Sequence, residues 1–252
     1  EVAGVGIGVP GPVEETGEIP CAVNLHWGRK NIEKELGDLT GLAVKAGNDA
    51  NVAALGEMWK GGGQGAKNLI LVTLGTGVGG GIIVNEKIVT GAHGAGGEIG
   101  HAFVNPAETK ACNCGNKGCL EQYASATGIA RLAKEALESE TEDSVLRTVK
   151  NISAKSVFDA YKEGDVLAGK IVDKFAAYLG NALAVFACVS DPDVFVIGGG
   201  VSKAGQVLID AVEKYYKAHA FTASKETPIK LATLGNDAGI YGAAKLILSK
   251  DN

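Results

Sequence analysis

The apolar pattern is densest between residues 69 and 84. Leu69-Ile70-Leu71-Val72-Thr73-Leu74 reads as a strand, because aliphatic and β-branched side chains follow one another without a helical stripe. Glycines come at 75, 77, 79, 80 and 81, and Ile82-Ile83-Val84 resumes the apolar run. The spacing predicts strand, glycine turn, strand, with Asn85-Glu86 turning into another short strand.

The remaining apolar segments sort by period. Residues 2–9, 42–46, 193–197 and 229–233 predict strands. Helical spacing predicts a short helix over 31–36, stopped by Gly37, Asp38 and Gly41. A second helix starts with Asp49 at or near its N-cap and ends in the glycines at 61–63. Further helices are predicted over 121–138, 142–150, 154–163, 166–189 and 204–219, the fourth a core helix, and a last one from Asn236-Asp237-Ala238-Gly239 to Leu248. Residues 20–27 predict an irregular crossing segment. Strands alternating with helices give an α/β fold. Asn-Asp-Ala occurs at 48–50 and again at 236–238, opening a helix after a strand and a glycine each time. A pseudo-duplicated two-domain protein with both helices at its hinge would show that echo; coincidence is the alternative.

Composition narrows the classes. The 252 residues are 46% hydrophobic and 21% charged, an ordinary globular balance with room for one large or two modest domains. A net charge of −5 disfavours nucleic acid or an anionic membrane surface as partner. No apolar run reads as a membrane span and no leader is visible, so a cytoplasmic location is expected. Glu1 is followed at once by a strand, so residues upstream are expected to be missing. Three of the five cysteines lie between 112 and 119, a clustering that points to metal. Cys21 and Cys188 sit among apolar neighbours and are expected to be inert core thiols.

Two constellations carry chemistry. Gly75, Gly77 and Gly80 match the dinucleotide fingerprint, but that motif must open a helix, and here a strand follows. A hairpin that wraps phosphate fits better; glycine needed for turn geometry alone is the other reading. His101, Cys112, Cys114 and Cys119 form a closed four-ligand set for a structural zinc, with Gly115 and Gly118 bending the chain between ligands. A redox cluster, or buried thiols beside a chance histidine, is the alternative.

Asn48, Asp49, Glu98 and Glu121 offer the carboxylates and amide that a polyhydroxy substrate needs, and a zinc site would pin Glu98 and Glu121 close together. A phosphate turn beside such a cluster points to phosphoryl transfer to a sugar, with Mg²⁺ on the phosphates and Asp49 taking the acceptor hydroxyl's proton. A helix-capping Asp49 and surface or supporting roles for the glutamates are the bland readings. No Walker A lysine pattern, H-R-D loop or D-F-G occurs.

These residues resemble the ROK family. The carrying motifs are LGTGVGGG (74–81), GAGGEIGH (94–101), CNCGNKGCLE (112–121), GNDANVAALGE (47–57) and GVPGPV (8–13), with wording closest to the family's Gram-positive glucokinase branch. The resemblance implies an actin-like, hexokinase-like ATPase fold with two α/β domains around a cleft. The smaller would hold 1–62 with a returning helix at 237–252, and the larger 63–236 with the zinc loop. It implies ATP-dependent phosphorylation of a hexose, glucose at its 6-hydroxyl, with Asp49 as base. Asn48, Asp49, Glu98, His101 and Glu121 would contact sugar, with His101 also on zinc through its other ring nitrogen. Gly75, Thr76 and Gly77 would hold ATP phosphate, Gly198, Gly199 and Gly200 would lie near adenosine, and the assembly would be a homodimer. The family's Asp-x-Gly-Gly-Thr phosphate loop does not occur in this chain. Open alternatives are a ROK-type sugar-responsive repressor, a kinase for fructose, mannose or N-acetylmannosamine, and a zinc-stabilised scaffold.

Overall fold

The computed structural model describes residues 2–14, 16–22 and 25–249. Part of the 20–27 crossing and the end of the 237–252 segment lie outside the described residues. The first elements are β1 (Val5–Val9), β2 (Glu18–Ile19), β3 (Lys30–Asn31), α1 (Ile32–Thr40), β4 (Val44–Asn48) and α2 (Asp49–Lys60). There follow β5 (Leu69–Leu74), β6 (Val78–Val84), β7 (Lys87–Ile88), α3 (Glu121–Ala124), α4 (Ala126–Ser139), α5 (Ala154–Lys162) and α6 (Val166–Ser190). The chain closes with β8 (Val194–Gly198), α7 (Gln206–His219), β9 (Ile229–Leu231) and α8 (Ala238–Leu248).

The strands form a five-stranded sheet in the order β7-β6-β5-β8-β9, a parallel β1–β4 pair and a short antiparallel β2–β3 pair. β5, β8 and β9 are parallel, and β6 returns antiparallel to β5 as a hairpin with Leu74 opposite Val78. β8 is buried along its whole length, as expected of a parallel strand covered on both faces. Alternate residues of the large sheet serve two cores. Ile70, Val72, Leu74, Phe195 and Ile197 pack with α4, α5, α6 and α7. Leu69, Leu71, Ile83, Val194 and Val196 pack against Val52, Leu55 and Met58 of α2. Each such side chain moved fully out of water contributes roughly 1.5–3 kcal/mol.

α2 and α8 cross backbone to backbone. A Cβ on Gly56 would stand 2.0 Å from the Ala238 carbonyl oxygen, and one on Gly242 would stand 1.7 Å from that of Val52. Only glycine permits this approach. α8 also packs on β1, where a Cβ on Gly6 would meet the Ala243 carbonyl oxygen at 1.8 Å. The two helices that open at the Asn-Asp-Ala echoes thus lie together.

Several expectations need correction. α1 runs on through Gly37 and Asp38 to Thr40. An internal glycine costs a helix only about 1 kcal/mol. Gly41, at φ +69°, is the residue that ends α1, donating its N–H to the Gly37 carbonyl at 2.9 Å. The segment 121–138 is two helices, because Ser125 is extended and its hydroxyl caps the second by accepting the Gly128 N–H at 2.9 Å. Only a 3-10 turn, Val145–Thr148, forms within 142–150.

Cys21 and Cys188 are exposed rather than buried. Cys21 points outward beside the fully buried Ala22, and Cys188 shares the outer face of α6 with the exposed Val185 and Val189. α6 itself has 25 residues and a mean hydropathy of 1.4 in its most apolar window, enough by length and composition to cross a membrane, which the sequence reading had not expected. More than half of that window is buried, with Leu167, Ile171, Phe175, Leu179 and Leu183 facing the core.

Candidate functional site

The site begins where β4 runs into α2. Asn48 is the N-cap of α2, and Asp49, expected at or near the cap, is the residue after it. Asn48 Oδ1 accepts the N–H groups of Ala50 (3.0 Å) and Asn51 (3.2 Å). Its Nδ2 donates to the Gly11 carbonyl at 3.1 Å, tying the Pro-Gly-Pro turn after β1 to the start of α2. Asp49 is then the first helical residue and exposed, with Oδ1 accepting the Ala50 N–H at 2.8 Å. With Gly8, Asn236 and Gly239 it lines an open groove of about 730 Å³ between β1 and α8. The second echo does not repeat the cap: no side chain caps α8.

The glycine hairpin is built as expected, but its glycines divide. A Cβ on Gly81 would stand 2.6 Å from Ala54 Cβ of α2, and one on Gly79 would stand 3.8 Å from Ala50 Cβ. On the other side, one on Gly80 would meet Ile99 Cγ1 at 2.4 Å. Close packing therefore accounts for Gly80 and Gly81, while the tight contact at Gly79 is Thr73 Oγ1 of the facing strand, 2.7 Å from where a Cβ would stand, and only Gly75 and Gly77 belong to the turn. The Gly75 N–H donates to the Gly77 carbonyl (3.0 Å), and the Val78 N–H donates to Glu121 Oε2 (3.0 Å). The N–H groups of Thr76 and Gly77 have no acceptor among the described residues. The turn is buttressed by α4, whose Ala126 N–H donates to the Gly75 carbonyl (2.8 Å) and whose Thr127 hydroxyl donates to that of Thr76 (2.7 Å).

Gly198, Gly199 and Gly200 leave the end of β8, next to this turn. β5 and β8 are parallel, with Thr73 opposite Gly198. Gly199 adopts φ +84°, and a Cβ there would lie 2.6 Å from the Leu74 N and O atoms. Both glycine turns thus sit at the carboxyl ends of parallel strands, the usual place for a ligand in such sheets.

Beyond β7 the chain folds back as a 3-10 turn, Ile99–His101, preceded by Glu98. Gly97 brings this segment against α2: at φ +93°, its missing Cβ would stand 3.2 Å from Asn51 Oδ1 and 2.8 Å from the Gly80 carbonyl oxygen. The donor atoms of His101, Cys112, Cys114 and Cys119 all lie within 4.8 Å of one another. Cys114 Sγ is 3.7 Å from Cys119 Sγ, and Cys112 Sγ is 3.8 Å from His101 Nδ1. A tetrahedral zinc with Zn–S near 2.3 Å needs ligand separations of about 3.5–3.8 Å; the donor set and these two pairs fit, and the whole set, spanning 4.8 Å, would draw in on binding. Gly118 makes the loop possible: at φ +75°, a Cβ there would stand 2.1 Å from the Asn105 carbonyl oxygen. Burial pushes the Cys112 and Cys119 thiols up, Cys119 to about 12, whereas the Asn116 N–H lowers that of Cys114. A bound cation would offset the buried negative charge.

Glu121 joins the two constellations. Its Oε2 accepts from Val78 in the hairpin, and its Oε1 accepts from Cys112 Sγ at 3.6 Å. His101 points Nδ1 at the cysteines and Nε2 at Glu98, whose Oε2 is 3.9 Å away and largely exposed. The structure therefore gathers Glu98, His101 and Glu121 around the cysteine loop. It sets the hairpin and Gly97 against the first turn of α2, which carries Asn48 and Asp49.

Sequence reasoning missed the brace behind the loop. Tyr123 donates to Glu108 Oε2 (2.6 Å) and accepts from Asn105 Nδ2 (2.7 Å), while Arg131 pairs with Glu108 at 3.1 Å. Burial alone would raise Glu108, but the Tyr123 hydroxyl, the Lys110 N–H and Arg131 hold it at about 2. Burial, and then Glu108, push Tyr123 up to about 12. No spacing rule links residues 105, 108, 123 and 131, although Ser125-Ala126-Thr127 was readable as a helix cap.

Comparison with known proteins identifies the family. The sequence model of the ROK family matches residues 1–250. The chain is 46% identical to a glucokinase of Halalkalibacterium halodurans, over all of this chain and 78% of that protein. It is 32% identical to a putative xylose repressor of a Caldicellulosiruptor species, over 98% of this chain and 63% of that protein. Among solved structures, a ROK family glucokinase from Streptomyces griseus in complex with glucose and AMPPNP superposes with a TM-score of 0.80 at 36% identity, covering 98% of this chain and 81% of that one. A hexokinase-like α/β fold with a cysteine–histidine loop, and a family match along almost its whole length, make this chain a member of the ROK family.

Proposed function

We propose that the protein is an ATP-dependent hexose kinase that transfers the γ-phosphoryl group to the 6-hydroxyl of glucose, with Asp49 as general base. The observation that carries this reading is the packing of α2's first turn on Gly79 and Gly81 of the hairpin. It brings the start of α2, which carries Asn48 and Asp49, against the strand that leaves a turn whose Thr76 and Gly77 N–H groups have no acceptor among the described residues. The 46% identity to a glucokinase supports the same activity.

In this reading the Thr76 and Gly77 N–H groups meet ATP phosphate, with Gly75 shaping their turn, and Gly198, Gly199 and Gly200 lie along the adenosine. Mg²⁺ arriving with the nucleotide supplies charge neutralisation. Asn48, Glu98, His101 and Glu121 bind sugar hydroxyls, the carboxylates as acceptors. Asp49 spends Oδ1 on its own helix and offers its other oxygen to the 6-hydroxyl. It accepts that proton as the 6-oxygen bonds to the γ-phosphorus, whose bond to the β–γ bridging oxygen breaks so that ADP leaves. Zinc, when bound, would be held by His101 Nδ1, Cys112, Cys114 and Cys119, supplying a structural cross-link with no open position.

We assign residues 1–62 with 237–252 to one domain and 63–236 to the other, with the sugar between them, and expect a cytoplasmic homodimer. A second reading, a sugar-responsive repressor, draws on the 32% identity to the putative xylose repressor. ADP release with Mg·ATP and a panel of hexoses separates the two. Hexose-dependent turnover supports the kinase. A hexose that raises the melting temperature without turnover supports the repressor.

A further inference from the structure

Glu57 is a buried acid on the last turn of α2, 1% exposed, and it belongs to neither the sugar nor the phosphate residues. Its carboxylate accepts three backbone N–H groups: Oε2 takes those of Gly62 (2.8 Å) and Thr233 (3.1 Å), and Oε1 takes that of Leu234 (2.9 Å). Gly62 lies between α2 and β5, where the chain enters the five-stranded sheet; Thr233 and Leu234 lie between β9 and α8, where it leaves. The first connector touches the end of β9, from which the second departs, since a Cβ on Gly62 would stand 2.4 Å from the Leu231 carbonyl oxygen. One side chain therefore holds both connectors, although they are more than 170 residues apart in sequence.

We infer that Glu57 is a positioning residue for phosphoryl transfer: its carboxylate clamps both inter-sheet connectors to the end of α2 and so fixes where that helix presents Asn48 and Asp49. This rests on the kinase reading. From Glu57 to Asp49 the helix rises ~12 Å, so a tilt of ~5° at the clamp displaces the Asp49 end by ~1 Å. A misplacement of that size is enough to cost a reaction about 10²-fold. A single carboxylate with three donors suits the task, because it satisfies N–H groups from both connectors at once. A glutamine in its place would present an N–H₂ to at least one of those donors.

The test is turnover per hexose-binding site in the full chain, for wild type, Glu57→Gln and Glu57→Asp, with sites titrated by glucose. The expected result is a fall of about tenfold or more in kcat per site with glucose binding retained, because only the transition-state geometry is lost. A purely structural role would reduce the number of sites and leave kcat per site within about twofold of wild type, which would overturn the inference. Should neither variant fold, amide exchange in the wild-type chain decides. Gly62, Thr233 and Leu234 are expected to stay protected with and without glucose, and exchange at the open-chain rate contradicts the clamp. A wild-type chain without turnover on any hexose would remove the kinase reading itself, leaving those amides to test the clamp.

Discussion

Glu121 Oε2 accepts the Val78 N–H at 3.0 Å, in the space a side chain on Gly77 would need: a Cβ there would stand 2.1 Å from the same oxygen. The glycine hairpin and the cysteine loop are thereby joined through one carboxylate, whose other oxygen accepts from Cys112. Gly77→Ala should separate binding from stability. The clash is with the far end of a flexible side chain, so the fold should lose only about 1 kcal/mol, the worth of one hydrogen bond. Glu121 would be displaced, and the KM for hexose should rise several-fold. Calorimetry and steady-state kinetics on one preparation check this. An unchanged KM would take Glu121 out of sugar binding.

Asp49→Asn should leave the fold and glucose binding intact, because Asn48 and not Asp49 provides the helix cap. Turnover should fall by ~10²-fold or more, the range for losing a general base. Glucose-dependent thermal shift with turnover measured alongside is the check. Near-normal turnover removes Asp49 from the role.

Cys114→Ser should lose bound zinc and lower the melting temperature, as should a strong chelator acting on the wild type. The loop between residues 105 and 119 would keep its brace at Glu108 but lose the cross-link to His101. Elemental analysis and a melting curve test this, and unchanged metal content in the variant would defeat the zinc assignment.

Glu108 makes an acid-dependent contribution to stability. Its carboxyl is held at about 2, below the ordinary 4.5, so between those values the unfolded chain binds more protons than the folded one. Stability from this group is present above about pH 4.5 and is lost as pH falls toward about 2. Urea unfolding at several pH values should show Glu108→Gln with a shallower decline across that window than wild type. Equal slopes would show that the Tyr123–Glu108–Arg131 brace does not form.

The main elements were legible because their periods are strong. The Leu69–Leu74 strand, its hairpin and the long α6 follow from apolar pattern alone, and the His101–Cys119 cluster from ligand type and spacing. What failed was decided by neighbours distant in sequence. Which glycines of the hairpin serve packing is not legible: Gly80 and Gly81 meet Ile99 and α2, and Gly79 meets Thr73 of the facing strand. Asn48 took the cap because its amide reaches both its own helix and the Gly11 carbonyl. Glu57 ends the GNDANVAALGE stretch, but no pattern shows that its partners are N–H groups on two connectors far apart in sequence.

The most direct measurement of the central claim is ADP release by the protein with Mg·ATP and glucose, fructose, mannose or N-acetylmannosamine, with Asp49→Asn as control. Glucose-dependent turnover that the variant abolishes is the expected result. Turnover that survives in Asp49→Asn, or no turnover with any hexose while glucose still stabilises the fold, would contradict it.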